Sequence, residues 1–175
     1  MTTRIPRRLG RAGAIAAMAV VAAACGGGDD TKTVTAADYS FQNLPREVDA
    51  GTTLKLENSS SRELHEMVLL RLPDSETRPV SELVKLPEAQ QDAIFGNAEP
   101  AMVLLRPPGG GEQINAVGDG KLTEKGRYAV ICAIPTGADP AAYLAAAQNS
   151  QGGPPNVPGG APHFTAGMFG EITVK

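Results

Sequence analysis

Residues 162–175 read PHFTAGMFGEITVK and contain one of only two histidines in the 175-residue chain. Met168 follows His163 after four intervening residues, and the chain then ends in FGEITVK, which is typical of a β-strand. A chain with so few histidines places one next to a thioether, directly before a predicted strand. The other histidine and the cysteines are therefore candidates for a role shared with His163 and Met168.

Four further stretches predict strands that are separated by turn residues. In one of them, Leu54 and Leu56 alternate with polar residues, and in two others an apolar run stops at a proline. Short strands separated by such turn residues and prolines favour an antiparallel sandwich. The four stretches are TVTAADYSFQNLP (33–45), VDAGTTLKLENSS (48–60), ELHEMVLLRLP (63–73) and GRYAVICAIP (126–135).

Two segments interrupt this β pattern. Residues 74–100 contain Pro79 and Pro87 at positions that suit helix starts, and Gly96 at a position that suits a helix end. Residues 133–162 contain the Ala-rich stretch DPAAYLAAAQNS, which predicts a short helix, and then the Gly- and Pro-rich stretch QGGPPNVPGGAP, which predicts an extended loop. The sequence thus predicts an all-β domain with two insertions that carry short helices.

The beginning of the chain has the pattern of an export signal. Four arginines precede an Ala- and Val-rich stretch, which is too short and too rich in small residues for a good membrane span. The run AAAC (22–25) resembles a bacterial lipobox, in which the cysteine is acylated and becomes the new N-terminus. We expect a lipoprotein signal peptide over 1–24, a flexible tether over 25–32 that starts at a lipidated Cys25, and a domain over 33–175. Such a protein is exported and anchored to the outer face of the cell membrane.

Charge and cysteine content narrow the function. Removal of residues 1–24 would leave 12 basic and 19 acidic side chains, a net charge of −7, which argues against a nucleic-acid partner. With Cys25 lipidated, Cys132 would be the only thiol in the folded domain, with no partner for an intramolecular disulfide. Such a cysteine is either buried and inert or a metal ligand.

The soft and imidazole donors of the chain form a recognisable set. Thiolate and thioether favour Cu(I), imidazole suits both oxidation states of copper, and a long axial sulfur tunes the potential. Two imidazoles, a thiolate and a weak thioether are the donors of a mononuclear blue-copper electron-transfer site, whereas a thioether is a poor ligand for zinc. In chain order the donors are His65, Cys132, His163 and Met168.

These residues and their surroundings resemble the cupredoxin family, which includes plastocyanin-like proteins and copper domains of bacterial lipoproteins. The resemblance implies a Greek-key β-sandwich with copper bound at one end by His65, Cys132, His163 and Met168. It also implies one-electron transfer rather than enzymatic catalysis, with a redox partner protein or a copper donor or acceptor as partner. The stretches that carry it are LPREVDAGTTLKLENSS (44–60), LHEMVLLRL (64–72), KGRYAVICAIP (125–135) and HFTAGMFGEITV (163–174).

The chain departs from the family pattern at two places. Typical members join the cysteine to the second histidine by one short loop, whereas residues 133–162 lie between Cys132 and His163 here. Closing a longer flexible loop adds only about 0.6 kcal/mol per doubling of its length, so the two ligands could still meet. We expect this insertion to affect the ligand geometry or to cover the histidine edge. The other departure is Glu66, which follows His65 where classical blue-copper proteins often have asparagine.

Each candidate also has an ordinary structural interpretation. Taken singly, His65 would be a strand histidine, Cys132 a small buried hydrophobe and Met168 a core residue, so the copper hypothesis depends on their combination. Two alternative functions stay open: a copper carrier or resistance protein with easily exchanged metal, and a metal-free binding module that uses the insertions as a partner surface. We expect core packing for Met67 and Met102, and solvated surface positions for Glu63, Glu66, Asp74 and Glu76.

Overall fold

The structure is a computed structural model that describes Met1 and residues 30–96, 98–150 and 155–175. The expected signal peptide, the lipidation of Cys25 and most of the expected tether lie outside the described residues. Within those residues, no helix combines the length and the apolar character that a membrane span needs.

The described residues form ten strands in two sheets. The smaller sheet has the order β2-β1-β4-β8, and the larger has the order β3-β10-β9-β5-β6-β7. The pairs β1–β4 and β3–β10 are parallel, and the other pairs are antiparallel. The strands are β1 (Thr31–Ala37), β2 (Ser40–Gln42), β3 (Glu47–Val48), β4 (Thr52–Asn58), β5 (His65–Arg71), β6 (Met102–Arg106), β7 (Ile114–Val117), β8 (Lys121–Leu122), β9 (Gly126–Ile131) and β10 (Phe169–Val174).

Helical segments in the described ranges are short and lie between strands. Pro79 and Pro87 stand directly before two of them, as the sequence predicts, because proline fits the start of a helix. Asp139 caps the longest helix by accepting a hydrogen bond from the Ala142 N–H at 2.7 Å. The segments are α1 (Val80–Leu83), α2 (Glu88–Gln91) with a π-helical turn (Asp92–Gly96), a 3₁₀ turn (Pro108–Gly110), α3 (Pro140–Asn149) and a second 3₁₀ turn (His163–Ala166).

The main core lies between the two sheets. Val34, Leu54 and Leu56 of the smaller sheet belong to the same buried cluster as Leu69 and Val130 of the larger one. Burying such side chains stabilises the fold by about 25 cal/mol per Å² of apolar area. The predicted alternation of β4 and the core position of Met67 and Met102 are confirmed, since these residues are buried.

The central strands of the larger sheet are covered on both faces. In β5, Leu69 packs into the main core, whereas Leu70 joins a second apolar cluster with α1. In β9, Val130 packs into the main core and Ile131 into the second cluster, because successive side chains of a strand point to opposite faces. The nearly continuous apolar runs of these two strands reflect this two-sided burial.

The architecture confirms the prediction of an all-β sandwich with short helical insertions. Helices α1 and α2 lie within residues 74–100, and α3 lies within residues 133–162. The sequence did not predict β6 and β7, which extend the larger sheet beyond β5.

Candidate metal centre

Antiparallel pairing brings both histidines and the cysteine to one end of the larger sheet. Strand β5 begins at His65, and its antiparallel neighbour β9 ends one residue before Cys132. Strand β10 is antiparallel to β9 in turn and is preceded by the 3₁₀ turn that starts at His163. The start of β5, the end of β9 and the start of β10 therefore meet at the same edge.

Backbone hydrogen bonds hold the cysteine segment against the second histidine segment. The His163 N–H donates to the Ile134 carbonyl at 3.0 Å, and the Phe164 N–H donates to the Cys132 carbonyl at 2.9 Å. The Cys132 N–H donates in turn to the Met168 carbonyl at 3.1 Å. These bonds fix the two segments side by side despite the long stretch of chain between them.

The insertion closes at its own base. The Thr136 N–H donates to the Ala161 carbonyl at 3.1 Å, and the Gly160 N–H donates to the Thr136 carbonyl at 2.8 Å. Pro135 and Pro162 also form an isolated antiparallel bridge. The chain thus leaves and re-enters the site region at adjacent points, so the insertion does not separate Cys132 from His163.

Three of the four predicted ligands form a compact cluster. One ligand atom each from His65, Cys132 and His163 lie within 4.8 Å of one another, and all three residues are fully buried. The Cys132 Sγ atom lies 3.3 Å from the His163 Nδ1 atom. The two imidazole rings meet edge to face with centroids 5.1 Å apart. This is the only such group of three potential ligands found among the described residues.

Met168 is held beside this cluster by its backbone. Its N–H donates to the His163 carbonyl at 3.2 Å, its carbonyl accepts from Cys132, and its side chain is fully buried in the main core. The turn between the two residues ends at Gly167, whose φ of 118° is strained for any residue with a Cβ. The role of Met168 as an axial ligand remains a prediction.

Burial keeps the cluster uncharged in the absence of a metal. The pKa of His65 is lowered to about 4, chiefly by desolvation and also by the neighbouring His163, while Asp38 opposes the shift. Desolvation also lowers the pKa of His163, against the effect of Glu63, and it raises the pKa of the Cys132 thiol. Neutral imidazoles are competent metal ligands, whereas a buried thiolate needs a cation beside it.

Unpartnered polar atoms show that the residues present fit a metal. Both ring nitrogens of His65 and the Nε2 atom of His163 are buried without a hydrogen-bond partner. Burying a polar group without such a partner costs free energy, so a site of this kind needs a compensating ligand. A cation next to Cys132 would satisfy a ring nitrogen of His65 and would stabilise the thiolate, whereas the unpartnered Nε2 atom of His163 faces Glu63.

Two carboxylates lie behind the imidazoles. The Asp38 Oδ1 atom lies 3.7 Å from the His65 Nε2 atom, and the Glu63 Oε2 atom lies 3.5 Å from the His163 Nε2 atom. Both distances are too long for well-formed hydrogen bonds, which agrees with the unpartnered state of both nitrogens. In His163, Nδ1 faces the sulfur while Nε2 faces the carboxylate, so the ring presents Nδ1 to the cluster.

The prediction that Glu66 is a solvated surface residue is wrong. Glu66 is 4% exposed, and desolvation raises its pKa to about 7. Its Oε1 atom accepts a hydrogen bond from the Ala133 N–H at 3.0 Å, and its Oε2 atom accepts one from the Tyr143 hydroxyl at 3.1 Å. Its own N–H donates to the Cys132 Sγ atom at 3.5 Å. Glu66 therefore belongs to the surroundings of the cluster, as do Asp38 and Tyr143, which the sequence analysis did not single out.

An open-sided cavity of about 480 Å³ lies on the outer face of the larger sheet. Glu66 and Tyr143 line it together with apolar residues such as Phe95 and Phe164. The clustered histidines and cysteine are not among the described residues of its lining. Glu66 thus separates the ligand cluster from this cavity.

Comparison with known proteins finds likeness at the level of structure. No protein-family model matches the chain, and no curated protein matches it. Similar solved structures include a dithionite-reduced auracyanin from the photosynthetic bacterium Roseiflexus castenholzii, with 17% identity, a TM-score of 0.44, and coverage of 85% of this chain and 99% of that one.

Two further auracyanins are similar to the chain. Auracyanin A, described as a "blue" copper protein from Chloroflexus aurantiacus, has 16% identity and a TM-score of 0.44, with coverage of 85% of this chain and 100% of that one. Auracyanin B has 19% identity and a TM-score of 0.36, with coverage of 83% and 88%. Such distant likenesses carry no argument about function, which is inferred from the cluster itself.

Proposed function

We propose that this protein binds one copper ion through His65, Cys132 and His163, with Met168 as a weak fourth ligand, and transfers single electrons. The observation that supports this proposal most directly is the buried group of two imidazoles and a thiol within 4.8 Å. Two nitrogens and one sulfur with a longer thioether are donors that suit both oxidation states of copper. Bound copper would supply the one-electron redox change.

The protein residues would keep the ligand arrangement the same in both oxidation states. His65 begins β5 and Cys132 directly follows its partner strand β9, and backbone hydrogen bonds tie His163 and Met168 to the cysteine segment. The side chains are fully buried and so cannot turn freely toward water. A ligand set that moves little needs little reorganisation when an electron enters or leaves.

Burial of the cluster favours a retained metal over an exchanged one. A copper carrier needs ligands that a partner protein can approach, whereas the side chains of His65, Cys132 and His163 are all inaccessible to solvent. We therefore favour electron exchange with a redox partner protein over copper delivery.

The decisive experiment is titration of the purified, metal-free chain with Cu(II). Replacement of Cys25 by serine leaves Cys132 as the only thiol and removes one source of ambiguity. We expect a strong thiolate-to-copper absorption band and a copper paramagnetic resonance signal that saturate at one equivalent. A colourless protein without bound copper would overturn the proposal.

We further propose that the protein is exported and anchored to the outer face of the membrane by lipid on Cys25. The sequence pattern of residues 1–25 supports this proposal. Metabolic labelling with a radioactive fatty acid should mark the wild-type protein and not the Cys25→Ser variant. Equal labelling of both proteins, or of neither, would contradict lipidation at this residue.

A further inference from the structure

The inserted helix α3 reaches the surroundings of the ligand cluster through one side chain. Tyr143 is 2% exposed and is the buried residue of this helix. The capping of α3 by Asp139 and the hydrogen bond from the Tyr143 N–H to the Asp139 carbonyl at 3.0 Å fix the first turn. The position of the tyrosine ring is therefore set by the start of the helix.

The hydroxyl of Tyr143 completes the hydrogen bonding of a buried carboxyl group. It donates to the Glu66 Oε2 atom at 3.1 Å, while Oε1 accepts from the Ala133 N–H at 3.0 Å. A carboxyl group that is 4% exposed has little water to replace a missing partner. Loss of a partner at a buried group therefore costs more than loss of a similar bond in solvent.

Glu66 is in direct contact with the proposed metal site. It follows His65 in β5, and its backbone N–H donates to the Cys132 Sγ atom at 3.5 Å. Alternation along the strand places the His65 and Glu66 side chains on opposite faces of the sheet. The carboxyl group can thus be held from the outer face while the backbone of the same residue faces the sulfur.

We propose that Tyr143 is a positioning residue of the metal site, which it acts on by fixing Glu66. This proposal rests on the proposed copper function and assigns a role to the 133–162 insertion. The insertion supplies a tyrosine whose hydroxyl holds the Glu66 carboxyl group in place. We call the following series of contacts the relay: the Tyr143 hydroxyl binds the Glu66 side chain, and the Glu66 N–H binds the Cys132 sulfur.

The Tyr143→Phe variant tests this role because it removes the hydroxyl and keeps the ring. Tyr128→Phe is a matched control: Tyr128 is also buried, and its hydroxyl donates to the Glu124 carbonyl at 2.8 Å, away from the cluster. Both variants should be made in the Cys25→Ser chain. Circular dichroism and thermal unfolding would establish that both fold and what each lost hydrogen bond costs.

We expect Tyr143→Phe, and not Tyr128→Phe, to change the relative intensities of the thiolate-to-copper bands and the copper hyperfine splitting. We also expect copper transfer to an excess of a Cu(I) chelator to be about tenfold faster, which corresponds to about 1.4 kcal/mol. Equal spectra and equal transfer rates in the two variants would assign Tyr143 a purely structural role and overturn the proposal.

A readout on the metal-free protein separates this proposal from the copper function. The alkylation rate of Cys132 by iodoacetamide should rise in Tyr143→Phe and stay unchanged in Tyr128→Phe, because a loosened Glu66 no longer holds its N–H against the sulfur. If wild-type protein bound no copper while Tyr143→Phe still sped alkylation, the copper function would fail and the positioning role would stand. Unchanged alkylation in Tyr143→Phe would contradict the positioning role itself.

A double-variant measurement tests whether Tyr143 acts through Glu66. If it does, the effect of Tyr143→Phe on alkylation should be smaller in a Glu66→Met chain, which has no oxygen to accept from the tyrosine, than in the chain that keeps Glu66, because residues that act together are not additive. Equal effects in the two chains would show that Tyr143 reaches Cys132 by another route and would overturn the relay.

Discussion

Cys132 is the residue whose chemistry defines the proposed site. The Cys132→Ser substitution replaces the soft thiolate donor by a hydroxyl that does not give a sulfur-to-copper transition. We expect complete loss of the visible band, together with a destabilisation of about 1–3 kcal/mol because a hydroxyl is buried without a designed partner. Absorption spectra of copper-loaded protein and urea unfolding would measure the two effects.

The control for this substitution is Cys25→Ser, which removes the other thiol of the chain. It should leave the absorption band at full intensity. An unchanged band in Cys132→Ser would exclude Cys132 as the ligand that gives the site its colour.

The carboxylates behind the histidines should tune the reduction potential. Glu63 lies 3.5 Å from the His163 Nε2 atom, and a negative charge there favours Cu(II) over Cu(I). We expect Glu63→Gln to raise the preference for Cu(I) about tenfold, an upward shift of about 59 mV. Asp38→Asn should give a smaller shift in the same direction, because the Asp38 side chain is 56% exposed and its charge is better screened.

Protein-film voltammetry would measure these potentials. Glu57→Gln provides a control, since Glu57 is an exposed acidic residue on β4 and its removal changes the net charge by the same amount. A downward shift in Glu63→Gln, or a shift no larger than that of the control, would show that the carboxylate does not act on the site.

At the level of single residues, the sequence predicted the cluster but not its surroundings. The two histidines and Cys132 were identifiable because they are rare residues placed at strand ends. Glu66 was misassigned because acidic residues are usually solvated. The apolar run Met67–Leu70 in the same strand contained the missing signal: a strand that is apolar on both faces is buried on both, so its neighbouring carboxyl group must be buried too.

The turn between His163 and Met168 depends on a residue without a side chain. Gly167 has a φ of 118° and a ψ of 0°, a conformation that costs a residue with a Cβ about 1–3 kcal/mol. We expect Gly167→Ala to lower the free energy of unfolding by that amount, because the backbone hydrogen bonds of the turn hold position 167 in a conformation that is strained for alanine.

Urea unfolding of Gly167→Ala and Gly96→Ala would separate strain from a general effect of added volume. Gly96 has no positive φ, and a Cβ there would meet its nearest neighbour, Asp92, at an ordinary 3.7 Å. The Gly96 variant should be as stable as wild type or slightly more so. Equal stability of the Gly167 variant and wild type would show that the turn relaxes without cost.

At the level of elements, the sequence predicted strands more reliably where turn residues bounded them. Pro73 and Pro135 mark the ends of the stretches that form β5 and β9. Strand β6, with the sequence MVLLR, was missed because it directly follows the helical insertion and its partner β5 lies some thirty residues earlier in the chain. Pairing over such a distance leaves no local pattern by which the strand could be bounded.

At the scale of the whole molecule, a charged network fastens the 74–100 insertion to the sheet. The Arg127 guanidinium donates to the Glu171 carboxylate at 2.8 and 2.9 Å, and it also donates to the carbonyls of Glu76 and Arg78. The same carboxylate accepts a hydrogen bond from the Val80 N–H at 3.4 Å. This network joins β9 and β10 to the start of α1, at the end of the sandwich opposite the ligand cluster.

The topology also explains why the position of the cluster could be anticipated whereas its second histidine segment was in doubt. Neighbouring antiparallel strands run in opposite directions, so the end of one strand and the start of the next lie at the same edge of the sheet. Ligands at these positions therefore come close together. The 133–162 insertion obscured this convergence, because sequence alone does not show that Thr136 and Ala161 pair at its base.

The charged network should make stability depend on pH. Hydrogen bonding to Arg127 lowers the pKa of Glu171 below its usual value of 4.5. Its contribution to stability is therefore complete above pH 4.5 and is lost as the pH falls through the lowered pKa of the folded state. We expect Glu171→Gln to be about 1 kcal/mol less stable than wild type at pH 7, since the pair is partly exposed, and the difference should shrink toward zero as both proteins are acidified.

Urea unfolding of the two proteins between pH 7 and pH 3 would measure this convergence, with Glu57→Gln as a control that should follow wild type throughout. A stability difference that stayed constant or grew with acidification would show that Glu171 stabilises the fold by packing rather than by its charge.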